Sequence, residues 1–245
     1  MSLFHVPDSR VQHAYRVRVS IFLLAVILVT GALWVGYQGI YTLRVLDTVE
    51  HDRDRWQQPA EIIAPLDLKK GSIVADIGSG AGYFTLKLAP IVGEHGGVFA
   101  VDILKEPLAL LWIRVLLHHQ SNVHIVHGDQ DNPHLPEGQI DAVLIANTYH
   151  EFVRPRAVLN HAFHALHRGG RLVLMDRGPL PAGQESAEFE ERHHEVSPSA
   201  VETDLRDTGF DLISRRDRFI VLPAGERPGD RPGNHSWWLI VARKP

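Results

Sequence analysis

Short apolar runs alternate with helical patterns over most of this chain. Seven runs have the length and content of buried strands: 73–77, 97–102, 123–126, 141–146, 170–175, 217–222 and 237–243. Helical segments lie between them, at 86–89, 106–119, 155–168 and 199–208. Strands that alternate with helices predict βαβ units, so we expect a doubly wound, mostly parallel sheet with helices on both faces.

A different apolar pattern occupies residues 19–43, where 25 consecutive positions are free of charge. At about 1.5 Å per residue, a helix of this length exceeds the roughly 30 Å hydrocarbon core of a bilayer. Trp34, Tyr37 and Tyr41 gather toward one end, and such rings favour the membrane interface. We expect one transmembrane helix. A cleaved signal peptide and a buried helix of a soluble domain are the alternatives.

These patterns predict four parts along the chain. An amino-terminal tail (1–18) precedes the transmembrane helix (19–43), and a charged helical linker (44–56) leads to one α/β domain (57–245). Three arginines flank each end of the apolar run, so the charge distribution alone sets no orientation.

Composition excludes several classes of function. The 245 residues include no cysteine, which rules out a disulfide framework, an iron–sulfur cluster and a thiol nucleophile. The net charge of −4 disfavours a dedicated nucleic-acid binder. There are 16 histidines, and a metal site formed by His150 with His193, His194 and Glu195 is conceivable. These residues do not show the spacing of a known metal-ligand motif, so we expect no metal site.

The glycine-rich loop after the first predicted strand is the first candidate site. It carries Gly78, Gly80 and Gly82, and glycine allows a tight turn and a close approach of backbone to a ligand. A dinucleotide fingerprint would need its third glycine at position 83, and no Gly-Lys-Ser/Thr follows for a P-loop. Asp76 precedes the loop, where its carboxylate would repel a pyrophosphate but assist a cationic or ammonium-bearing ligand.

Two further acids end the next two strands. Asp102 lies 20 residues beyond Gly82, where a carboxylate can accept both hydroxyls of a ribose. Asp129 follows the third strand and could sit near an adenine ring edge. Ligands of doubly wound sheets bind at these carboxyl ends of the strands.

Five motifs in this order make the chain recognisable: 74–85, 100–102, 127–129, 141–147 and 166–174. Together they resemble the class I S-adenosylmethionine-dependent methyltransferases over about residues 57–245. The resemblance implies a Rossmann-like seven-stranded sheet whose last strand, 237–243, is antiparallel. It also implies S-adenosylmethionine as cofactor, with contacts from Asp76, Gly78, Ser79, Gly80, Gly82, Asp102, Ile103, Asp129 and Asn147.

The residues after the fourth strand usually face the methyl acceptor in this family. Here they include Tyr149, His150 and Glu151. His150 could serve as a base or orient the acceptor, and Glu151 could hold its tautomer or bind a cationic acceptor. The alternative is that this segment only closes the pocket. His194, in the acid-rich stretch 185–195, is a further candidate catalytic residue.

The leading hypothesis is a membrane-anchored methyltransferase. Its acceptor would be a small molecule, a lipid or a quinone-like compound, not a nucleic acid, and its domain would face the cytoplasm, where S-adenosylmethionine is held. The rival is a membrane-tethered binding module that keeps the fold without turnover. A nicotinamide oxidoreductase is disfavoured by the glycine spacing. The sequence leaves the acceptor atom and the oligomeric state open.

Overall fold

The computed structural model describes residues 9–178, 196–222 and 235–245. The chain divides into two compact units, residues 1–53 and residues 54–245. In the first unit, the described chain is a single helix, α1 (Ser9–Gln57), whose last turn belongs to the second unit.

Helix α1 keeps its apolar side chains exposed. Its most apolar 18-residue stretch has a mean hydropathy of 2.5 and is not buried at all. The hydroxyls of Thr30 and Thr42 donate to the carbonyls of Val26 and Gln38, each at 2.9 Å, so these polar groups are satisfied inside the helix. Within the described residues, α1 is the one helix long and apolar enough to cross a membrane.

The second unit is an α/β domain. Its strands are β1 (Ile73–Ile77), β2 (Gly97–Asp102), β3 (Val123–His127), β4 (Ile140–Ala146), β5 (Leu166–Arg177), β6 (Asp211–Leu222) and β7 (His235–Arg243). Its described helices are α2 (Pro59–Ile63), α3 (Thr85–Val92), α4 (Lys105–Leu117), α5 (Pro155–Ala165) and α6 (Pro198–Thr208). Short 3₁₀ turns at Ala64–Leu66 and Tyr149–Glu151 complete the described elements.

The seven strands form one sheet in the order β3-β2-β1-β4-β5-β7-β6. Strands β1 to β5 are parallel, and β7 runs antiparallel to both β5 and β6. The chain reverses its direction of travel across the sheet between β1 and β4. A reversal of this kind opens a crevice at the carboxyl ends of the strands.

Helices cover both faces because β1 sends alternate side chains to opposite sides. Val74 packs in a core with Leu88 of α3, whereas Ala75 packs in a second core with Leu159 of α5. Leu111 of α4 packs on β2 and β3 in a smaller cluster on the α3 side. The sheet between two helical layers holds the strand ends rigidly, which is what positions the site.

The predicted fold class is confirmed: a doubly wound α/β sheet with an antiparallel last strand, preceded by a long apolar helix. The bounds predicted for β1 and β2 are the observed ones. The helix predicted over 155–168 ends earlier, at Ala165, because Leu166 pairs with Ile140 and starts β5. Strand β6 starts at Asp211 instead of residue 217, because the whole segment pairs with β7 through two irregularities.

Candidate active site

A cavity of about 390 Å³ lies at the carboxyl ends of β1, β2 and β4. Its polar lining includes Asp102, Asp129 and Glu151, and its apolar lining includes Ile103 and Phe152. Of the residues predicted to form the site, six line this cavity: Gly78, Gly80, Asp102, Ile103, Asp129 and Glu151. The structure therefore brings together side chains from three strand ends that are far apart in the sequence.

The glycine loop forms the floor of the cavity, and its three glycines have different roles. Gly78 has φ +78°, and a Cβ there would overlap with the side chain of Thr148. Gly82 has φ +94°, and its Cβ would overlap with Leu111. Gly80 has φ +52° and open space around its Cβ position. Gly78 and Gly82 thus serve packing, whereas Gly80 leaves the backbone open to a ligand.

Asp102 joins the glycine loop to the loop after β2. Its carboxylate accepts the N–H of Gly80 at 2.8 Å and the N–H of Leu104 at 2.9 Å. A carboxylate that lines the cavity while holding both loops fixes the shape of the wall. Its remaining lone pairs can accept further hydrogen bonds from a bound hydroxyl-bearing ligand.

Two polar side chains at the end of β1 and in the glycine loop, Asp76 and Ser79, are buried and do not line the cavity. Asp76 is buried and accepts the hydroxyl of Thr85 at 2.6 Å. The Ser79 hydroxyl is also buried, and among the described residues it has no hydrogen-bond partner. An unpartnered buried hydroxyl is costly, so Ser79 lowers the stability of the loop in this arrangement.

Asp129 lines the cavity, whereas Asn147 lies outside its lining and bonds to neighbouring strands. Asp129 lines the cavity and lies 2.8 Å from the Nε2 of His134, with both side chains largely exposed. Asn147 has φ +55°, and its Oδ1 accepts the indole N–H of Trp237 at 2.9 Å. Its own N–H donates to the Met175 carbonyl at 2.7 Å. Asn147 therefore ties the end of β4 to β5 and β7.

The strongest polar arrangement beside the cavity is a buried pair that the sequence analysis missed. Asp176 is fully buried at the end of β5, and its Oδ1 lies 2.8 Å from the Nδ1 of His150. Its Oδ2 accepts the backbone N–H of His150 at 3.1 Å. On the other side, the His150 Nε2 lies 3.7 Å from the Glu151 carboxylate. The sequence did carry a signal that could have identified Asp176: it is an acidic residue near the end of a strand, as Asp76 and Asp102 are.

The neighbouring carboxylates change the pKa of His150. Burial lowers the pKa of the His150 imidazole, but the hydrogen bond and the charge of Asp176 outweigh it, with help from Glu151. The net result is a pKa above the ordinary value of 6.5. With Nδ1–H donated to Asp176, the neutral ring has its Nε2 lone pair on the side of Glu151, which lines the cavity.

The hydroxyl of Tyr149 is engaged elsewhere. It donates to Asp204 of α6 at 2.8 Å, and Asp204 is also bound by Arg156. Burial and then the hydrogen bond to Asp204 raise the pKa of Tyr149 well above its ordinary value. Tyr149 therefore stays a neutral donor, and it anchors the 3₁₀ turn that presents His150 and Glu151.

The variant Tyr149→Phe separates an anchoring role from a catalytic one. We expect it to lower the free energy of unfolding by about 1 kcal/mol, the value of one hydrogen bond, with a fall in Tm of about 2–4 °C. Thermal unfolding measures the first effect, and calorimetry with S-adenosylhomocysteine should show an unchanged affinity. Abolished turnover in a folded Tyr149→Phe protein would instead give Tyr149 the catalytic role.

One candidate catalytic residue, His194, cannot be placed in this site. His194 and its neighbours His193 and Glu195 lie outside the described residues. In the part of the chain that the structure describes, no group of three or more histidine and acidic side chains could hold a metal ion.

Residues 68–217, more than half of the chain, match the family described as a methyltransferase domain. A ubiquinone/menaquinone biosynthesis C-methyltransferase of Azotobacter vinelandii is 30% identical over 110 residues, 44% of each chain. A probable cobalt-precorrin-6B C(15)-methyltransferase (decarboxylating) of Sulfurisphaera tokodaii is 31% identical over 170 residues, 64% of this chain and 81% of that one. The chain spans about half the length of the quinone-biosynthesis relatives that it matches.

The fold has solved counterparts as well. The crystal structure of a SAM dependent methyltransferase from Aquifex aeolicus superposes with a TM-score of 0.59 at 23% identity, covering 75% of this chain and 88% of that one. The likeness in fold agrees with the match to the domain family. The chain belongs to the class I S-adenosylmethionine-dependent methyltransferases.

Proposed function

We propose that the α/β domain binds S-adenosylmethionine in the cavity and transfers its methyl group to a small apolar acceptor delivered by a membrane. One observation supports this most directly: the Gly78–Gly80 loop and Asp102 border the same cavity as Glu151, next to the His150–Asp176 pair. Cofactor-binding groups and an acid–base group thus converge on one place.

The residues present fit this cofactor. Gly80 leaves room at the backbone, and Asp102, which lines the cavity, can accept the two ribose hydroxyls. The apolar Ile103 beside Asp129 suits an adenine ring with a polar edge. When bound, S-adenosylmethionine supplies an electrophilic methyl group on a sulfonium that is already a good leaving centre.

The protein's own part is alignment and the handling of one proton. His150, neutral and with its Nδ1–H donated to Asp176, can accept a proton from the acceptor at Nε2. Glu151, 3.7 Å from that nitrogen, stabilises the imidazolium that forms. Asp176 keeps the ring in the required tautomer, in the way that a carboxylate orients other catalytic histidines.

The acceptor class follows from three features taken together. The quinone-biosynthesis relative is named a C-methyltransferase, and methylation of an aromatic carbon requires that carbon to lose a proton, which a base accepts. The cavity walls are mostly apolar, with Phe152 and Val153 beside Glu151. Helix α1 would hold the domain at a bilayer, where quinones and lipids are dissolved. A quinone-like ring is the acceptor that fits all three.

We place helix α1 in the membrane as a single-pass anchor and the α/β domain on the cytoplasmic side. The support is its exposed apolar surface, its length and the aromatic residues at one end of its apolar run. The orientation follows from the cofactor, which is made and held in the cytosol.

The first experiment is calorimetry on the full chain in nanodiscs, titrated with S-adenosylhomocysteine and separately with NADH. We expect micromolar binding of the first and none of the second. Isotope-labelled S-adenosylmethionine is then added with an extracted membrane-lipid fraction that contains quinones, and labelled products are identified by mass spectrometry. Binding without any transfer would favour the tethered binding module, and binding of neither compound would overturn the cofactor site.

A further inference from the structure

The outer face of α4 is apolar although it points to solvent. Trp112 is 57% exposed, Leu116 is 54% exposed and Leu117 is 60% exposed, and Ile113 adds a fourth large side chain. These four positions follow the helical repeat, so they form one continuous stripe. The outward face of a surface helix is ordinarily polar, so this stripe is unusual for a face in contact with water.

The charge of this segment favours a particular partner. No acidic residue occurs between Glu106 and Asp129. The one basic side chain of the helix beyond its first turn, Arg114, is turned inward and donates to the Ala81 carbonyl at 2.6 Å. Beyond Glu106, which is exposed in the first turn, the face is therefore free of the negative charge that an anionic bilayer surface would repel. Trp112 is also the residue type that prefers the lipid headgroup region.

We propose that the outer face of α4 lies on the surface of the bilayer, a contact that rests on the proposed anchoring by α1. Tethering keeps the domain at high local concentration beside the membrane, so even a modest apolar face is enough for stable contact. Ile103 and Leu104, which are exposed and line the cavity, come immediately before the first turn of the same helix. Docking would bring the mouth of the cavity to the lipid surface and let an apolar acceptor enter without crossing water.

The chain has no cysteine, so single cysteines can be labelled without background. Three full-length variants, Leu116→Cys, Ala200→Cys and Leu28→Cys, carry an environment-sensitive fluorophore and are placed in phosphatidylcholine–phosphatidylglycerol nanodiscs. Some of the lipids bear a nitroxide quencher near the top of the acyl chain. Ala200 is the matched control, because it is exposed on α6, on the opposite face of the sheet. Leu28 reports the insertion of α1.

We expect quenching at position 116 to exceed that at position 200 by at least about threefold, with the label at position 28 also quenched. Equal quenching at 116 and 200, with position 28 quenched, would overturn the docking face and leave the anchor standing. An unquenched label at position 28 would overturn both. Energy transfer between copies labelled at 116, without lipid quenching, would assign the face to a second copy instead.

A second variant tests whether the quenching depends on the apolar side chains of the face and not on the attached fluorophore. In Ala109→Cys, which places the label on the same exposed face, the added changes Leu116→Glu and Leu117→Glu should abolish the lipid quenching. An unchanged affinity for S-adenosylhomocysteine shows that this variant is folded. Quenching that persists in the folded variant would contradict the proposal.

Discussion

Replacing His150 with glutamine is expected to lower the turnover number about 100- to 10,000-fold, the range that a positioned general base contributes. The affinity for S-adenosylhomocysteine should stay within a factor of about two, because His150 does not line the cofactor cavity. Turnover is measured as the transfer of the labelled methyl group to the acceptor identified in the lipid extract. Calorimetry measures the affinity.

The companion variant Asp176→Asn tests how His150 is activated. The His150 ring must be neutral to accept a proton, so turnover should rise as the pH increases through its pKa. Because that pKa is raised above 6.5, the rise should lie above pH 6.5 in the unmodified protein. Loss of the Asp176 charge removes the main cause of the raised His150 pKa. The increase of turnover with pH should therefore occur at lower pH in Asp176→Asn, while the maximum turnover falls.

Two results would contradict this account. A His150→Gln protein with nearly full turnover would mean that the acceptor needs no base and that the 149–151 turn only closes the pocket. A pH profile that does not move in Asp176→Asn would mean that Asp176 serves the fold alone. The folded state of both variants is checked by thermal unfolding, since Asp176 is fully buried and its replacement also weakens two backbone hydrogen bonds.

Asp102→Ala has the second largest expected effect. We expect the affinity for S-adenosylhomocysteine to fall about 10- to 100-fold, or about 1.5–3 kcal/mol, the scale of a lost charge-assisted contact. The variant removes both the acceptor for the ribose and the hydrogen bonds to the Gly80 and Leu104 N–H groups. Calorimetry on the full chain measures this loss directly.

The matched control is Asp131→Ala, which removes an exposed aspartate that pairs with Arg154 outside the cavity lining. Its affinity for S-adenosylhomocysteine should equal that of the unmodified chain, because an exposed ion pair contributes little. If Asp102→Ala and Asp131→Ala bind equally well, the cofactor does not lie against Asp102, and the site assignment fails.

Local patterns were sufficient for the fold. Strand β1 was predicted with its observed bounds because a short buried apolar run between charged and glycine-rich segments has few other conformations. The position of the glycine loop and Asp102 at the carboxyl ends of β1 and β2 was also predicted from the sequence, since both come directly at a strand end in a doubly wound sheet. The helix predicted through residue 168 was too long because nothing local shows that Leu166 pairs with Ile140.

The partners of the candidate catalytic residues could not be predicted. His150 meets Asp176, which is 26 positions away, and Tyr149 meets Asp204, 55 positions away. Asn147 is held by Trp237 across 90 positions. Each pair depends on which strands become neighbours and on the direction in which a turn is rotated, and neither is encoded in a local periodicity.

The sequence by itself determined the family, the order of the strands and helices, the glycine loop at the cavity and the apolar amino-terminal helix, because each is a local pattern of side chains. Only the tertiary structure decided the electrostatics of the site. The insertion of β7 beside β5 and the docking of the 3₁₀ turn onto β5 bury Asp176 against His150. The buried Asp176 then holds the proton of that histidine at Nδ1 and raises the pKa of the ring against the opposing effect of burial, since a charge acts strongly where water is excluded.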